Sequence, residues 1–516
     1  MEGTILSLLP SVITIALIIF TRRIFLSLGV GIVLGAIIIE QWNVLASVGT
    51  IFEIMKGVLL GDSKILIFVL LIGIMTSLIY LSGGILAFSE WALKKVKTKF
   101  QAKLVTLLLG FVIFFDDACS CLLRGNVVRP ITDNHRISRS KLSYLVHSTS
   151  APIILIIPLS GMAAATAAIM GGILSDNGIT NYGAFEAFIL TIPNNYYAIT
   201  CLLMAFMVAY FGINLGQMRR DEKRATQEGI LFDTSRGVVP GQSDNELPAR
   251  TDGKVVDLML PVLSLVVATI VIALWIGISN IDGPITGSGI LTNMDVTTGL
   301  VYGSLLACII SLLKLVVRKT SSKDIKTAMV AGLKTTLPSV LILFLALITA
   351  EIIGELGVGT FLATLFNDTT TLSWFSVIFF VFAAIMSFST GSTFGTLILM
   401  LPIGGEIMAI IDPTYVIPVF GAVLAGCIFG EHSSPLSDTT ILSSIGSGVH
   451  AIDHIMSQLP YALICGLVSI FGYMILGFTN NVIIGLLSTI LILALVGYLL
   501  KNKYSTSSSY EMDASN

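Results

Sequence analysis

Phe114-Phe115-Asp116-Asp117-Ala118-Cys119-Ser120 stands at the centre of an apolar stretch, residues 104–128. Two adjacent carboxyls inside a run apolar enough for a bilayer cannot both stay ionised without a cation or a proton. Like charges at close range oppose each other's ionisation, and burial adds to the cost. The polar centre also leaves too few apolar residues on either side for a straight crossing, which takes roughly 20. The stretch therefore predicts a re-entrant hairpin that enters and leaves on one side, with a functional tip. Residues 374–410 read the same way. Their centre, Ser387-Phe388-Ser389-Thr390-Gly391-Ser392-Thr393-Phe394-Gly395-Thr396, is neutral. Its hydroxyls and bared carbonyls are hard oxygen ligands suited to Na⁺, and its glycines let the backbone turn.

The rest of the chain agrees with a membrane setting. Of 516 residues, 55% are hydrophobic and 12% charged, against about 25% charged in soluble domains. Mean hydropathy is +0.93. A water-soluble fold could not cover that much apolar surface, so the composition is that of an integral membrane protein. The net charge of −2 offers no pull on nucleic acid. A secreted disulfide scaffold and a disordered hub are excluded as well. The cysteines at 119, 121, 201, 308, 427 and 465 have neither zinc nor disulfide-framework spacing.

Candidate spans are 5–20, 24–40, 64–82, 142–174, 184–212, 255–278, 296–316, 338–355, 415–445, 457–478 and 481–500. The first reads as a span rather than a cleaved signal, because Arg22 and Arg23 follow it and no small-residue cleavage motif is present. Lys94, Lys95, Lys97, Lys99 and Lys103 precede the first hairpin, and Arg129, Arg136, Arg139 and Lys141 follow it. Basic residues mark the cytoplasmic side, so this hairpin is expected to open inward and the second outward. The N-terminus is then outside and the C-terminus cytoplasmic, in a multi-pass protein of the cell membrane. The Lys94–Lys103 run reads as a lipid-facing charge anchor.

Landmarks recur at a nearly constant offset: Gly57 and Gly332, Asp116 and Ser389, Pro130 and Pro402, Pro193 and Pro460. Each half holds an odd number of spans plus a hairpin, so the halves face opposite ways. The expected fold class is an all-α polytopic membrane protein of two inverted repeats, 1–216 and 255–478. A cytoplasmic linker at 217–254 joins them, an extra transmembrane helix follows at 479–503, and a disordered tail closes the chain at 504–516. Inverted repeats with broken helices are the build of secondary transporters, whose sites lie where the helices break.

Two spans carry such breaks. One is His147-Ser148-Thr149-Ser150-Ala151-Pro152 and the other is Glu431-His432-Ser433-Ser434-Pro435-Leu436-Ser437-Asp438-Thr439-Thr440. In each, proline removes a helix donor and frees a carbonyl. Asp438, among hydroxyls, is the strongest single proton- or cation-exchanging candidate. His432 can titrate near neutral pH. The ion- and proton-binding candidates are Asp116, Asp117, Asp438, Glu431 and His432, with the three aspartates as Na⁺ ligands. Candidate substrate or cation ligands from the broken helices are His147, Ser148, Thr149, Ser389, Thr390, Ser392, Thr393, Ser433, Ser434 and Thr439. Helix capping is the competing role for each aspartate; for Glu431 it is to face a water-filled vestibule, and for His432 to be a satisfied structural histidine. Glu351, Glu355, Glu406 and Arg124 read as structural or mouth-lining, with Arg124 able to pair with an Asp. His450, Asp453 and His454 read as capping residues. The sequence contains no working P-loop, dinucleotide fingerprint, HExxH or GxSxG motif, so an ion gradient is the expected energy source and no cofactor is expected.

Several ordered blocks resemble the NhaC family of Na⁺/H⁺ antiporters. They are Phe114-Phe115-Asp116-Asp117, Arg129-Pro130-Ile131-Thr132-Asp133, Ile137-Ser138-Arg139-Ser140-Lys141-Leu142, Ser148-Thr149-Ser150-Ala151-Pro152, Phe429 through Ile441, and Gln458-Leu459-Pro460-Tyr461-Ala462. They run from about residue 110 to 465. The resemblance implies a secondary antiporter that exchanges Na⁺ for H⁺ by alternating access, and no enzyme. Relatives in the family also carry malate and lactate, amino acids or drugs. The family usually has Asp where His147 and Glu431 stand here, and an aromatic and an amide residue where Ala118 and Cys119 stand. That departure keeps open the alternative of a Na⁺- or H⁺-coupled carrier of a small carboxylate or amino acid. The expected partners are sodium ions, protons, an organic solute under the alternative, the lipid bilayer and a second copy in a homodimer, with no nucleic acid. An intramembrane aspartyl protease built on Asp116, Asp117 and Asp438 would leave the repeat and the hydroxyl-rich breaks without a role.

Overall fold

The computed structural model describes residues 4–21, 23–61, 63–114, 116–237, 250–281, 294–357, 361 and 373–505. Residues 238–249 of the expected linker, the tail beyond Ser505 and the side chain of Cys119 lie outside them. The described residues form helices and no β-strand. Nine of these helices are long and apolar enough to cross a bilayer. Ala184–Asn194 with Tyr196–Phe211, bent by 53° at the break between them, is long and apolar enough only as a pair. The chain is an all-helical membrane-spanning protein.

The first half comprises α1 (Leu9–Thr21), α2 (Ile24–Ile39), α3 (Val44–Gly61), α4 (Ser63–Leu81), α5 (Gly84–Lys95), α6 (Lys99–Gly110) and α7 (Asp117–Asn134). It continues with α8 (Arg139–His147), α9 (Ala151–Ile154), α10 (Gly161–Asp176), α11 (Ala184–Thr191) and α12 (Tyr196–Phe211). After α13 (Gly216–Glu228), the second half holds α14 (Val255–Ser279), α15 (Val296–Val317), α16 (Ser322–Glu355), α17 (Phe375–Thr390) and α18 (Thr393–Ile411). Then come α19 (Val416–Ser433), α20 (Asp438–Ser447), α21 (Ala451–Thr479) and α22 (Val482–Tyr504).

Local chemistry explains the breaks. The Thr98 hydroxyl and Gln101 side chain form a capping box that starts α6. Ser160, Ser392 and Ser437 accept from backbone N–H groups at the starts of α10, α18 and α20. Gly391 ends α17 at φ +69°, a left-handed conformation that favours glycine. The stretch 142–174 is three helices, because Ser148 to Ser150 and Pro152 interrupt it and Ser160 restarts it. The span at 338–355 is the second part of a single 34-residue helix that contains Pro338. Val44–Gly61 is also long enough to cross, although Glu53 and Lys56 dilute its apolar pattern; most of its surface is exposed.

Packing crosses between the halves in matched pairs. α4 lies along α16, and α12 along α21. α7 packs on α20, and α18 on α10, so each hairpin's return leg meets a helix that follows the other half's break. The α7–α20 contact is backbone to backbone. A Cβ on Gly125 would stand 2.6 Å from the Gly446 carbonyl carbon, and one on Gly446 would stand 2.6 Å from the Leu122 oxygen. The core is widest around α19, whose residues are nearly all buried.

Within 217–254, the residues up to Glu228 are a helix docked on the start of α8 rather than loose chain. Lys141 Nζ lies 2.8 Å from Glu222 Oε2, the Ser138 N–H donates to Glu222 Oε1 at 2.7 Å, and the Ser140 hydroxyl donates to Asp221 at 2.7 Å. Burial alone would raise the Glu222 carboxyl. The Lys141 ammonium and the Ser138 donors outweigh it and hold the group below its ordinary value. A carboxyl depressed in the folded state contributes stability above its unfolded pKa and loses it as pH falls through the folded one. Glu222→Gln, which strands Lys141, is expected to cost about 3 kcal/mol at neutral pH. It should also flatten the loss of thermal stability below about pH 4.3, both read by unfolding in detergent across pH.

Candidate functional site

A cavity of about 290 Å³ opens where the breaks meet. Asp116 and Asp117 line it from the first hairpin, and Thr390, Gly391, Ser392, Thr393 and Phe394 from the second. Glu431, Leu436 and Asp438 come from the second broken span, and Thr336 and Ser339 from α16. Ile24, Val69, Ile72, Met162, Ile342 and Leu343 complete an apolar wall. Carboxyls from opposite halves of the chain thus face one space.

Two of the acids begin helices, while Asp116 precedes α7 and Glu431 lies in the last turn of α19. Asp117 is the first residue of α7, and Asp438 the first of α20. The cap of α20 is Ser437, whose hydroxyl accepts from Thr440 N–H at 3.3 Å. Asp438 Oδ1 accepts from the adjacent Thr439 N–H, at 2.8 Å. Gly161 and Thr393, the first residues of α10 and α18, line the same cavity. Four helix N-termini, each carrying a partial positive charge, therefore bound a space that also holds carboxyls. Such a site suits a cation beside the acids and an anionic group at the helix starts.

The hairpin tips and breaks are tied within each half. The Ser150 hydroxyl donates to the Asp117 carbonyl at 3.0 Å, and the Ser434 hydroxyl to the Phe388 carbonyl at 2.6 Å. Gly391 lies against Leu436 and Ser437 so closely that a Cβ there would stand 2.7 Å from the Leu436 carbonyl.

Behind the cavity, the two breaks are joined by a fully buried group. His147 Nε2 lies 3.0 Å from both Glu431 Oε1 and Thr439 Oγ1, while the Ser437 hydroxyl donates to the same Glu431 oxygen in a very short contact. His147 Nδ1 meets His454 Nε2 at 3.0 Å and Gln458 Nε2 at 2.9 Å. His432 Nδ1 meets the Tyr197 hydroxyl at 3.2 Å, and its Nε2 stands 3.8 Å from Glu431 Oε2.

Of the residues singled out in the sequence, Asp116, Asp117, Glu431, Asp438, Thr390, Ser392 and Thr393 line the cavity. The others do not line it, and the Ser148 and Ser433 hydroxyls are buried without a hydrogen-bond partner among the described residues. Ser389 bonds back to the Ile385 carbonyl, and Thr149 to Leu145 while accepting from Arg124. Ser148, Ser433, Ser434 and Thr439 are buried beside the breaks, as are His147 and His432. Arg124 spends its donors on the Ser120 and Val146 carbonyls and on Thr149 rather than on an aspartate. Lys103 is buried at 3% exposure, so the last of the Lys94–Lys103 run does not face lipid. His454 is a member of the buried histidine group, not a surface cap; its spacing from His450 hid that. Thr336 and Ser339 flank Pro338 as Thr149 and Ser150 precede Pro152, and this hydroxyl-proline signal could have drawn attention to α16. Gln458 stood only as part of the Gln458–Ala462 block, with no role assigned to its amide.

The comparisons with known proteins fall in line with this geometry. An uncharacterized protein of Haemophilus influenzae is 34% identical over 512 residues, 97% of this chain and 96% of that one. The malate-2H⁺/Na⁺-lactate antiporter of Bacillus subtilis is 32% identical over 165 residues, which span 31% of this chain and 34% of the antiporter. The fold is similar to that of the Alcanivorax borkumensis YdaH transporter, with a TM-score of 0.54 at 12% identity, covering 88% of this chain and 89% of that one. The pattern that defines the Na⁺/H⁺ antiporter family matches residues 153–478, which contain both the second hairpin and the Glu431–Thr440 break. The chain therefore belongs to the Na⁺/H⁺ antiporter family and is a secondary transporter.

Proposed function

We propose that this protein exchanges Na⁺ for H⁺ across the cell membrane by alternating access to the cavity. One observation carries the reading: Asp116 and Asp117 of one half and Asp438 of the other line a single space bounded by hydroxyls. Close carboxyls favour either a cation or protons, so each displaces the other. The aspartates hold Na⁺, with Thr390, Ser392 and Thr393 as neutral oxygens. The cross-half pairs, α4 with α16 and α12 with α21, support two inverted repeats, 1–216 and 255–478, moving against each other. The basic flanks support an outside N-terminus and a cytoplasmic C-terminus.

A second reading is favoured by the size of the space. About 290 Å³ is far more than Na⁺ needs and approaches the range of small-ligand pockets. Four helix N-termini give an organic carboxylate a place beside the cation. In this reading Na⁺ or H⁺ drives a small carboxylate or amino acid through the same cavity.

Reconstituted protein decides between them. In proteoliposomes with a pH-sensitive dye, an imposed Na⁺ gradient is expected to move protons without any added solute. Proton movement that appears only with a carboxylate or amino acid selects the second reading. No proton movement and no sodium-stimulated uptake across a solute panel rejects both.

A further inference from the structure

The buried group behind the cavity has a defined arrangement of protons. Gln458 on α21 places its amide nitrogen 2.7 Å from the His432 carbonyl and 2.9 Å from His147 Nδ1. A carbonyl can only accept, so the group facing it is the NH₂; the opposite amide orientation would set two oxygens against each other. The same NH₂ gives its second hydrogen to His147 Nδ1, which must therefore be unprotonated. His454 agrees independently. The Ser443 hydroxyl donates to the Thr440 carbonyl at 3.0 Å, which leaves its oxygen to accept from His454 Nε2 at 3.2 Å. His454 thus carries its hydrogen on Nε2, 3.0 Å from His147 Nδ1. Nδ1 accepts from Gln458 and shares the single His454 N–H with Ser443, so His147 carries its own hydrogen on Nε2. That nitrogen lies 3.0 Å from both Glu431 Oε1 and Thr439 Oγ1, of which the carboxylate is the stronger acceptor.

We propose that Gln458 and His454 lock His147 as a neutral hydrogen-bond donor to Glu431. The proton gained and lost behind the cavity then resides on Glu431, and His147 is a positioning residue for the charged form. This assignment rests on the proton-coupled reading of the cavity. Glu431 also lies near His432, Asp438, Cys121, Tyr197 and Cys201. None of these is placed to bond Oε1, which is held by His147 and the Ser437 hydroxyl. Glu431 Oε2 is buried without a hydrogen bond among the described residues, 3.8 Å from His432 Nε2. A proton arriving from the cavity forms an O–H bond there, and leaves by the same wall when a cation takes its place. His147 keeps both its hydrogen and its neutrality throughout.

Two measurements test the lock. In the full-length protein labelled with ¹⁵N-histidine, the ring nitrogens of His147, assigned by their loss in His147→Gln, should show the neutral Nε2–H form across a pH titration. Gln458→Leu should mix in the other tautomer. In proteoliposomes, His147→Leu is expected to lower sodium-driven proton flux at least about tenfold. His147→Gln, whose amide can donate to Glu431 but cannot titrate, should regain flux to within about threefold of the native protein. A native Nδ1–H or imidazolium spectrum overturns the proposal. So does equal inactivity of the Gln and Leu variants, which would make His147 itself the proton carrier. If the native protein moves no protons under any solute, the coupled reading fails and Glu431 loses its assigned role, while the spectrum still reports the tautomer.

Discussion

Asp438→Asn is expected to lower sodium-driven proton flux by at least about 100-fold while leaving the fold intact. The size of the effect follows from what the side chain does and does not do for structure. Ser437, not Asp438, caps α20. The carboxyl accepts from the neighbouring Thr439 N–H, a bond that an asparagine oxygen can also accept. What asparagine cannot supply is the negative charge that holds a cation and is discharged by a proton. The charge sits at the start of α20, so its loss removes the cation's counter-ion on that side of the cavity. Flux in proteoliposomes measures the loss, and unchanged thermal unfolding in detergent shows that the variant is folded.

Gly391→Ala is expected to lower both stability and flux, because it strains the backbone at the cavity itself. Position 391 has φ +69°, where an L side chain costs about 1–2 kcal/mol. The added Cβ would stand 2.7 Å from the Leu436 carbonyl carbon and oxygen and 2.8 Å from Ser437 N. Backbone cannot swing aside as a side chain can, and such overpacking typically adds about 1–3 kcal/mol. The strain falls where the second hairpin touches the second break, so the tip and the Ser437–Asp438 turn must part. A lowered unfolding temperature and a loss of flux together are the expected result. Gly172→Ala is the control: a Cβ there meets nothing within 4 Å, and both measurements should stay near the native values.

Much of this was legible before the fold was known, because a membrane makes polar residues conspicuous. Asp116, Asp117 and Asp438 stand out since an ionisable group in an apolar run needs a reason. Proline and hydroxyl clusters marked where helices break, and the breaks fall at Ser148–Ser150, just before Pro152, and at Ser434–Ser437. Direction was harder. A broken helix presents hydroxyls to several sides, so sequence alone could not separate Thr390 and Thr393, which line the cavity, from Ser389 and Ser434, which bond backbone carbonyls. The histidine group was partly hidden for a different reason. His147, Glu431 and His454 come from three distant segments, and His454 sits beside Asp453, whose contact with Arg236 belongs to the surface. Amphipathic α13 was missed because its balanced charges read as solvated, although Asp221 and Glu222 turn inward to Ser140 and Lys141.

The central claim is that cations and protons compete for carboxyls contributed by both halves to one cavity. Purified protein in weakly buffered detergent solution tests it without any need to know the transported solute. Adding NaCl should release protons in proportion to the protein present, an equal addition of choline chloride should release none, and Asp438→Asn should abolish most of the release. Sodium that binds without releasing protons, or a release unchanged in Asp438→Asn, would contradict the account.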